Sequence, residues 1–513
     1  MGFVLTEGPS PYAVSMLPTR LRSLLALAAS VALLAPAFLA HAGSDQEPSR
    51  PNVLLLLADD QRPDTIAAWG NEAIDTPNLD ALVAGGFSFR GAHCLGSPHG
   101  AVCVPSRAML ATGRAYHGLD LKEFGGAPTL GQLLGESGYR TFGTGKWHNG
   151  REAFRRSFQD ARAVYFGGMS DHNLVPIEDM RDGEFVDKRV GARHSSELFT
   201  DAAIEFLTGY RDEAPFFVYV AYTAPHDPRD PPLAYREHYY ENRPPLPANF
   251  MPYHPFDNGA IIIRDENLAA WPRTRDVVSD QLAEDYGLIT HIDDQVGRLV
   301  EVLERKGMLE NTLVIYTADH GLSVGSHGLL GKQSLYEHSM GLPLILSGPG
   351  IPTGTSDALV YLHDLFPTLL GQAGVAAPEG IDSMDLSPVW KGESAALRDS
   401  LFTSYGKVQR SVRDLRWKLI RYPKVDVTQL FDLEADPDEL VNLAAEPDQA
   451  ERVARMRVEL EAWQERLGDD LAWTADQVKP AEVNPSGTPR KPDRWQPAWI
   501  RAKYFDKGEA DKR

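Results

Sequence analysis

The sequence predicts an α/β protein with a large, mainly parallel sheet flanked by helices, followed by a smaller C-terminal antiparallel sheet plus a helix. Three observations carry that prediction. Apolar runs without alternation, the mark of strands buried on both faces, recur along the chain and stop at reactive polar residues. Helical patterns alternate with these runs, as in successive β-α-β units. The composition, 43% apolar and 24% charged over 513 residues, is that of a globular protein and excludes a disordered, collagen-like or polytopic membrane chain.

Taken in order, residues 1–42 read as a signal peptide. Arg20 and Arg22 precede an apolar run over residues 24–39, interrupted by Pro36 and closed by Ala40-His41-Ala42. A basic region, an apolar stretch and an A-x-A site are the pattern of secretory export, with Met1 or Met16 as the start. The mature protein is expected to be periplasmic or secreted, with no membrane attachment after cleavage.

A catalytic domain is expected over residues 51–390. Its first strand, 52–58, ends in Asp59-Asp60, and Thr76-Pro77-Asn78-Leu79 then reads as a capped helix start. From Cys103 a helix is expected, with Pro105 in its first turn, Ala108-Met109-Leu110-Ala111 propagating it and Gly113 stopping it. Strand 139–143 leads to Lys146 and His148, and strand 216–222 leads to Pro225-His226. Nine prolines between residues 225 and 255 argue against helix or central strand. Residues 225–275 therefore read as a long, lid-like insertion that shapes one wall of the site. Ile289, Ile292, Val296, Leu299 and Leu303 mark an amphipathic helix, and strand 313–318 ends in Asp319-His320-Gly321. A C-terminal subdomain over 391–470 carries strands at 414–420 and 429–433 and a helix at 451–467. A polar, proline-rich tail over 471–513 follows.

In open α/β sheets the site lies beyond the carboxyl ends of the strands. Asp59-Asp60, Lys146 with His148, His226, and Asp319-His320 therefore share one edge. A carboxylate after one strand is ordinarily a turn residue; several such ends at one edge point to chemistry. Three carboxylates meeting there repel one another unless a cation joins them. An oxygen-rich set favours Ca²⁺, with Mg²⁺ second, over zinc, although the His320 nitrogen is a poor ligand for a hard cation. The net charge of −20 argues against nucleic acid as a partner, so an anionic substrate must meet a local cationic pocket.

Cys103 stands at a helix start, where free N–H groups and Arg107 one turn later favour an anion. Only two cysteines are present. On local chemistry three readings stay open. Cys103 is a structural thiol or a disulfide partner of Cys94; or it joins Cys94, His93 and His99 in a zinc site; or it is a nucleophile, directly or after modification.

Cys103-x-Pro105-Ser106-Arg107, followed by Thr112-Gly113-Arg114, resembles the signature of the type I, formylglycine-dependent sulfatases of the alkaline phosphatase-like superfamily. Asp59-Asp60, Gly145-Lys146-Trp147-His148, Asp319-His320-Gly321 and Gly331-Lys332 match in the same order over about residues 51–350. Leu430-Phe431-Asp432-Leu433, with Asp436-Pro437 and Asn442-Leu443, resembles the C-terminal region of that family. The resemblance implies that a formylglycine-generating enzyme oxidises Cys103 to 3-oxoalanine (formylglycine). Its hydrated gem-diol then attacks sulfur, releases the alcohol and expels sulfate. By the same resemblance Asp59, Asp60, Asp319 and His320 bind Ca²⁺ (or Mg²⁺) together with residue 103. Arg107 steadies the diol, His148 assists its collapse, and Lys146, His226 and Lys332 neutralise the sulfate, with His226 or Lys332 protonating the leaving oxygen. Many members of the family resembled have asparagine at the position of His320, and others have histidine.

His327, in Ser326-His327-Gly328, is expected either at the substrate mouth or in a structural loop. His93, His99 and His117 flank the signature, His291 reads as a helix-face residue, and Arg155-Arg156 as solvated surface. An exported, acidic sulfatase is expected to act on a sulfated carbohydrate, such as a polysaccharide or glycosaminoglycan fragment. The alternatives are a phosphonate or phosphate ester hydrolase of the same superfamily and, with Cys103 unmodified, a non-catalytic sulfoglycan-binding protein.

Overall fold

A computed structural model describes residues 50–483, 496 and 498–505. The expected signal peptide lies outside the described residues, as does part of the 471–513 tail. A ten-stranded sheet runs in the order Gly354–Ser356, Phe87–Phe89, Leu344–Ser347, Thr312–Ala318, Asn52–Asp59, Phe216–Pro225, Arg140–Lys146, Asp160–Tyr165, Pro176–Arg181, Glu184–Val190. The five central strands, from Thr312–Ala318 to Asp160–Tyr165, are parallel throughout. Every antiparallel pairing in this sheet involves at least one strand outside them.

The unbroken apolar run fits this placement. Val53 through Ala58 are each at most 1% exposed, because strands lie on both edges and further layers cover both faces. The helix Arg275–Arg305 packs along Phe216–Pro225 and against the helices Ser195–Gly209 and Pro77–Gly85. Ile289, Ile292, Val296, Leu299 and Leu303 are buried on it, as their spacing predicts.

Register brings the strand ends level. Ala58 pairs with Ala318, Asp59 with Pro225, and Gly145 with Ala221. Bulges interrupt the ladders between Leu57 and Asp59 and between Gly143 and Gly145, just before the polar endpoints. Such bulges re-aim the side chains that follow them.

The smaller sheet has five strands, in the order Val427–Asp432, Trp417–Tyr422, Gln409–Arg413, Leu401–Tyr405, Gly96–Ser97. Its first four are antiparallel; Gly96–Ser97, from the segment leading to Cys103, joins Leu401–Tyr405 in parallel. The helix Ala450–Leu467 buries Met456 and Leu460 against Phe402, Val412, Leu419 and Leu430.

Three local expectations need correction. Residues 414–416 form a turn, because the Asp414 carboxylate accepts the N–H groups of Arg416 and Trp417 at 2.9 and 2.6 Å, so the strand begins at Trp417. The insertion does contain a helix, Leu233–Glu241, in the proline-free span between Pro231-Pro232 and Pro244-Pro245. The helix Pro77–Gly85 is capped, but not by Thr76: Asp293 of the long helix accepts the N–H groups of Asn78 and Leu79 at 3.1 and 2.7 Å. Among the described residues no helix is long and apolar enough to cross a membrane.

Candidate active site

Cys103 is the first residue of the helix Cys103–Thr112, which Gly113 ends in a left-handed turn. Its Sγ lies 3.1 Å from His148 Nδ1 and 3.8 Å from Lys146 Nζ. Burial alone would raise the thiol, but His148, Lys146 and Lys332 around it pull it well below the ordinary value. Neither cysteine is in a disulfide, and Cys94 points its thiol at Met340 Sδ, 3.7 Å away. His93 is engaged with Glu337, and His99 is exposed. The structure thus supports neither the disulfide nor the zinc reading of Cys103.

One turn along the helix, fully buried Arg107 donates from Nε to Asp319 Oδ2 at 2.9 Å and from Nη1 to the Lys146 carbonyl at 2.6 Å. Lys146 donates to Asp59, and Lys332 to both oxygens of Asp60 at 2.9 Å. The Asp60 N–H donates to Asp319 Oδ1 at 3.1 Å, which locks two strand ends together. His320 donates from Nδ1 to the Gly321 carbonyl at 2.9 Å, which leaves Nε2 3.2 Å from Asp60 Oδ1 and 3.6 Å from Asp319 Oδ1. His226 donates from Nδ1 to the Asp227 carbonyl at 2.7 Å and turns Nε2 toward Asp60 Oδ2, 3.7 Å away. Asp60 and His148 have positive φ, +71° and +65°, a conformation that non-glycine residues hold only where the surroundings impose it.

These contacts set the charges. Burial pushes the Asp59 carboxyl well up and the Asp60 carboxyl up, against the pull of Lys146 and Lys332. Burial acts upward on Asp319 too, but His320, Arg107 and Lys146 hold it far below the carboxylate range. Burial opposes a charged His320, yet Asp319 and Asp60 raise it to about 9. His148 is lowered by burial, and His226 is driven well down by burial with Lys332 and Lys146 beside it, so both rings are neutral near pH 7.

Asp59 Oδ1 and His320 Nε2 are buried without a hydrogen-bond partner. Oxygens of Asp59, Asp60 and Asp319 lie within 4.8 Å of one another, and Cys103, Asp319 and His320 form an overlapping set. An orphaned carboxylate oxygen inside a buried three-carboxylate cluster suits a cation, so the residues present fit a divalent ion. Arg107 Nη2 is likewise buried without a hydrogen bond.

A cavity of about 300 Å³ opens beside this cluster, lined by Cys103, His148, His226 and Lys332. Ile263, Arg264 and Asp265 of the insertion form one wall, and Met169, Gln333 and Tyr405 also line it. His327 does not belong to it. Its ring stacks on Tyr336 at 3.8 Å, and Nε2 donates to the Glu439 carbonyl at 3.0 Å, so it is a buried structural histidine. His117 stacks on Tyr116, and His291 is buried beside Glu197 and His194. Arg155 is exposed, whereas Arg156 is half-buried and donates to the carbonyls of Glu123 and Ala127.

Sequence reasoning missed several neighbours of the site. Ser106 donates to the Asp319 carbonyl at 2.5 Å, although it stands inside the cysteine motif. Asp227 and Gln333 each follow a predicted residue by one position and were within reach of the same reading. Arg264, Asp265 and Tyr405 carry no motif, and only the fold brings them to the cavity.

A sequence model of the sulfatase family matches residues 51–375, and a model of the C-terminal region of N-sulphoglucosamine sulphohydrolase matches residues 325–466. An arylsulfatase of Clostridium perfringens is 28% identical over 454 residues, spanning 80% of this chain and 93% of its own. An N-acetylglucosamine-6-O-sulfatase of Bacteroides thetaiotaomicron is 26% identical over 501 residues, spanning 83% and 88%. A solved structure in complex with its substrate, D-glucosamine-2-N,6-O-disulfate, aligns at a TM-score of 0.70 with 25% identity, covering 82% of this chain and 99% of that one. A phosphonate monoester hydrolase of Agrobacterium radiobacter shares the fold at a TM-score of 0.67 and 22% identity, covering 82% and 96%.

Proposed function

The chain belongs to the sulfatase family and is a sulfuric ester hydrolase, and from that premise we propose that it removes sulfate from carbohydrates, fragments of polysaccharide or glycosaminoglycan, after export to the periplasm or beyond. The observation that carries this reading is one juxtaposition. Cys103 and Lys332 line a single cavity, and a buried carboxylate cluster that also engages Lys146 lies against them. The similarity to an N-acetylglucosamine-6-O-sulfatase and to a structure holding a glucosamine disulfate supports a sulfated sugar as substrate. Export rests on the pattern of residues 1–42.

Residue 103, once converted to formylglycine by its generating enzyme, would supply an oxygen nucleophile for sulfur, and Asp59, Asp60, Asp319, His320 and residue 103 would hold Ca²⁺, which would supply positive charge beside it. The remaining work falls to the chain's own side chains. Lys146 and Lys332, each buried and anchored to a carboxylate of the cluster, supply the positive charge that holds the sulfate anion. Neutral His148, with Nδ1 3.1 Å from the residue 103 side chain, takes a proton there. Arg107 has Nε and Nη1 committed to Asp319 and the Lys146 carbonyl, which fixes the plane of its guanidinium, and Nη2 lies 3.6 Å from Asp59 Oδ1, so its positive charge stands one helical turn from residue 103. His226 donates its Nδ1 proton to the Asp227 carbonyl, so Lys332 is the group already carrying a proton for the leaving oxygen.

The test is a panel of sulfated mono- and oligosaccharides and phosphodiesters, assayed with enzyme converted at residue 103. A sulfated sugar should exceed every phosphodiester in kcat/KM by about tenfold or more. A phosphodiester preference would move the assignment to phosphonate or phosphate ester hydrolysis. Binding of sulfated sugars without turnover would leave only a recognition role.

A further inference from the structure

The insertion grips the site through one turn, Arg264-Asp265-Glu266, at the start of the short helix Asp265–Leu268. Glu266 is 3% exposed, yet its carboxylate faces no helix N-terminus. Oε1 accepts the N–H groups of Leu330 and Gly331 at 3.1 and 2.9 Å, and Oε2 accepts that of Leu330 at 3.0 Å. Arg273, itself 1% exposed, donates to the same carboxylate and, from Nε, to the Gly328 carbonyl at 3.2 Å. On the other side of Lys332, Gln333 donates to Asp265 Oδ2 at 2.8 Å. Gly331 is seated so tightly that a Cβ there would stand 2.8 Å from Asp265 Cβ. Both chain neighbours of Lys332 are therefore tied to the insertion, while its ammonium reaches Asp60.

A buried carboxylate is costly unless hydrogen bonds or charge satisfy it. Here its acceptors serve the backbone of a glycine-bearing loop that carries a single long, flexible lysine. A lysine on four methylenes acts on a substrate oxygen only if its Cα is held, and a displacement of about 1 Å in such a site costs turnover heavily. We propose that Glu266, braced by Arg273, is a positioning residue that fixes the 330–333 loop so that the Lys332 ammonium meets the sulfate. The inference rests on the reading above that Lys332 acts on the substrate.

The experiment is a double-mutant cycle in the full-length, converted enzyme, assayed on the sulfate ester turned over fastest in the panel. Glu266→Gln keeps the volume and removes the charge. It should lower kcat/KM about tenfold alone and change it less than about twofold in a Lys332→Ala background, the coupling expected when one residue acts through another. Hydrogen exchange should show the amides of residues 330–331 losing protection while those of the Cys103–Thr112 helix keep it. Arg273→Lys, which leaves Glu266 a cation, carries the same cycle should Glu266→Gln not fold. Losses that simply multiply, full activity in Glu266→Gln, or unchanged exchange at 330–331 would each overturn the inference alone. Full activity in Lys332→Ala would instead remove the reading on which it rests.

Discussion

At the scale of single residues, the site pairs its buried cations with its buried carboxylates. Arg107 illustrates this: Nε and Nη1 donate hydrogen bonds, and Nη2 lies 3.6 Å from Asp59 Oδ1. Arg107→Lys cannot make the Nε and Nη1 bonds at once, and it leaves Asp319 half-paired in the interior. It should lower kcat by about 10²-fold or more and cost about 3 kcal/mol in denaturant unfolding, as expected for breaking a buried ion pair. Cys103→Ser should abolish turnover with little change in thermal midpoint, because the side chain is nearly isosteric and the formylglycine-generating enzyme is expected to read only cysteine; retained activity contradicts the covalent role. Lys332→Ala should lower turnover by about 10²- to 10³-fold, since charge in a desolvated site is lost, and a change below about threefold would remove it from the machinery.

At the scale of elements, the strand ends position the chemistry through backbone irregularities. Gly145 has φ +90°, and a Cβ there would stand 1.9 Å from the Ala221 carbonyl oxygen of the neighbouring strand. Gly145→Ala should therefore force the strands apart where Lys146 and His148 leave the sheet. The expected result is a loss of both stability and turnover, whereas Gly143→Ala should act mainly on packing, since the Cβ there would meet Phe154 and Phe158 rather than backbone. Asp293→Ala removes the acceptor for two N–H groups of the helix Pro77–Gly85 and should cost about 1 kcal/mol, read by equilibrium denaturation. Elements were legible where one period dominates: 53–58 and 216–222 are apolar throughout and 313–318 at all but Thr317, and each lies within an observed strand. They were illegible where the partner is distant in sequence. Nothing near Thr76 announces that Asp293 caps its helix, and proline counts over 225–255 concealed the proline-free span that becomes Leu233–Glu241.

At the scale of the whole molecule, the two sheets are stitched by Gly96–Ser97 and by a buried charge network. Glu337 accepts from His93 at 2.9 Å and Lys418 at 2.8 Å, and also from Arg413, while Glu439 takes the Glu337 N–H at 2.7 Å. Burial, with Glu337 nearby, raises the Glu439 carboxyl to about 7 despite Lys418. A raised folded-state value means that the folded protein holds a proton the unfolded chain releases near its ordinary value. The Glu439 contribution to stability is thus largest below about 4.5 and is lost as pH rises through about 7. Relative to the parent, Glu439→Gln should gain stability progressively over that window and level off above it; a pH-independent difference would show that Glu439 does not titrate there. The site as a whole was legible because its residues fall at strand ends and in short motifs. The insertion was legible as one wall, but its lining residues Arg264 and Asp265, and Tyr405 of the second sheet, were not, because only folding brings them to the cavity.

In the proposed mechanism the oxygen nucleophile of this sulfatase arises at residue 103, among side chains gathered from four strand ends. It is tested most directly by the mass of the peptide spanning residues 91–107, taken from enzyme with measured turnover. The expected peptide is about 18 Da lighter than its cysteine form, with the change located at Cys103 and not at Cys94. Full turnover from a preparation in which Cys103 remains an unmodified thiol would contradict it.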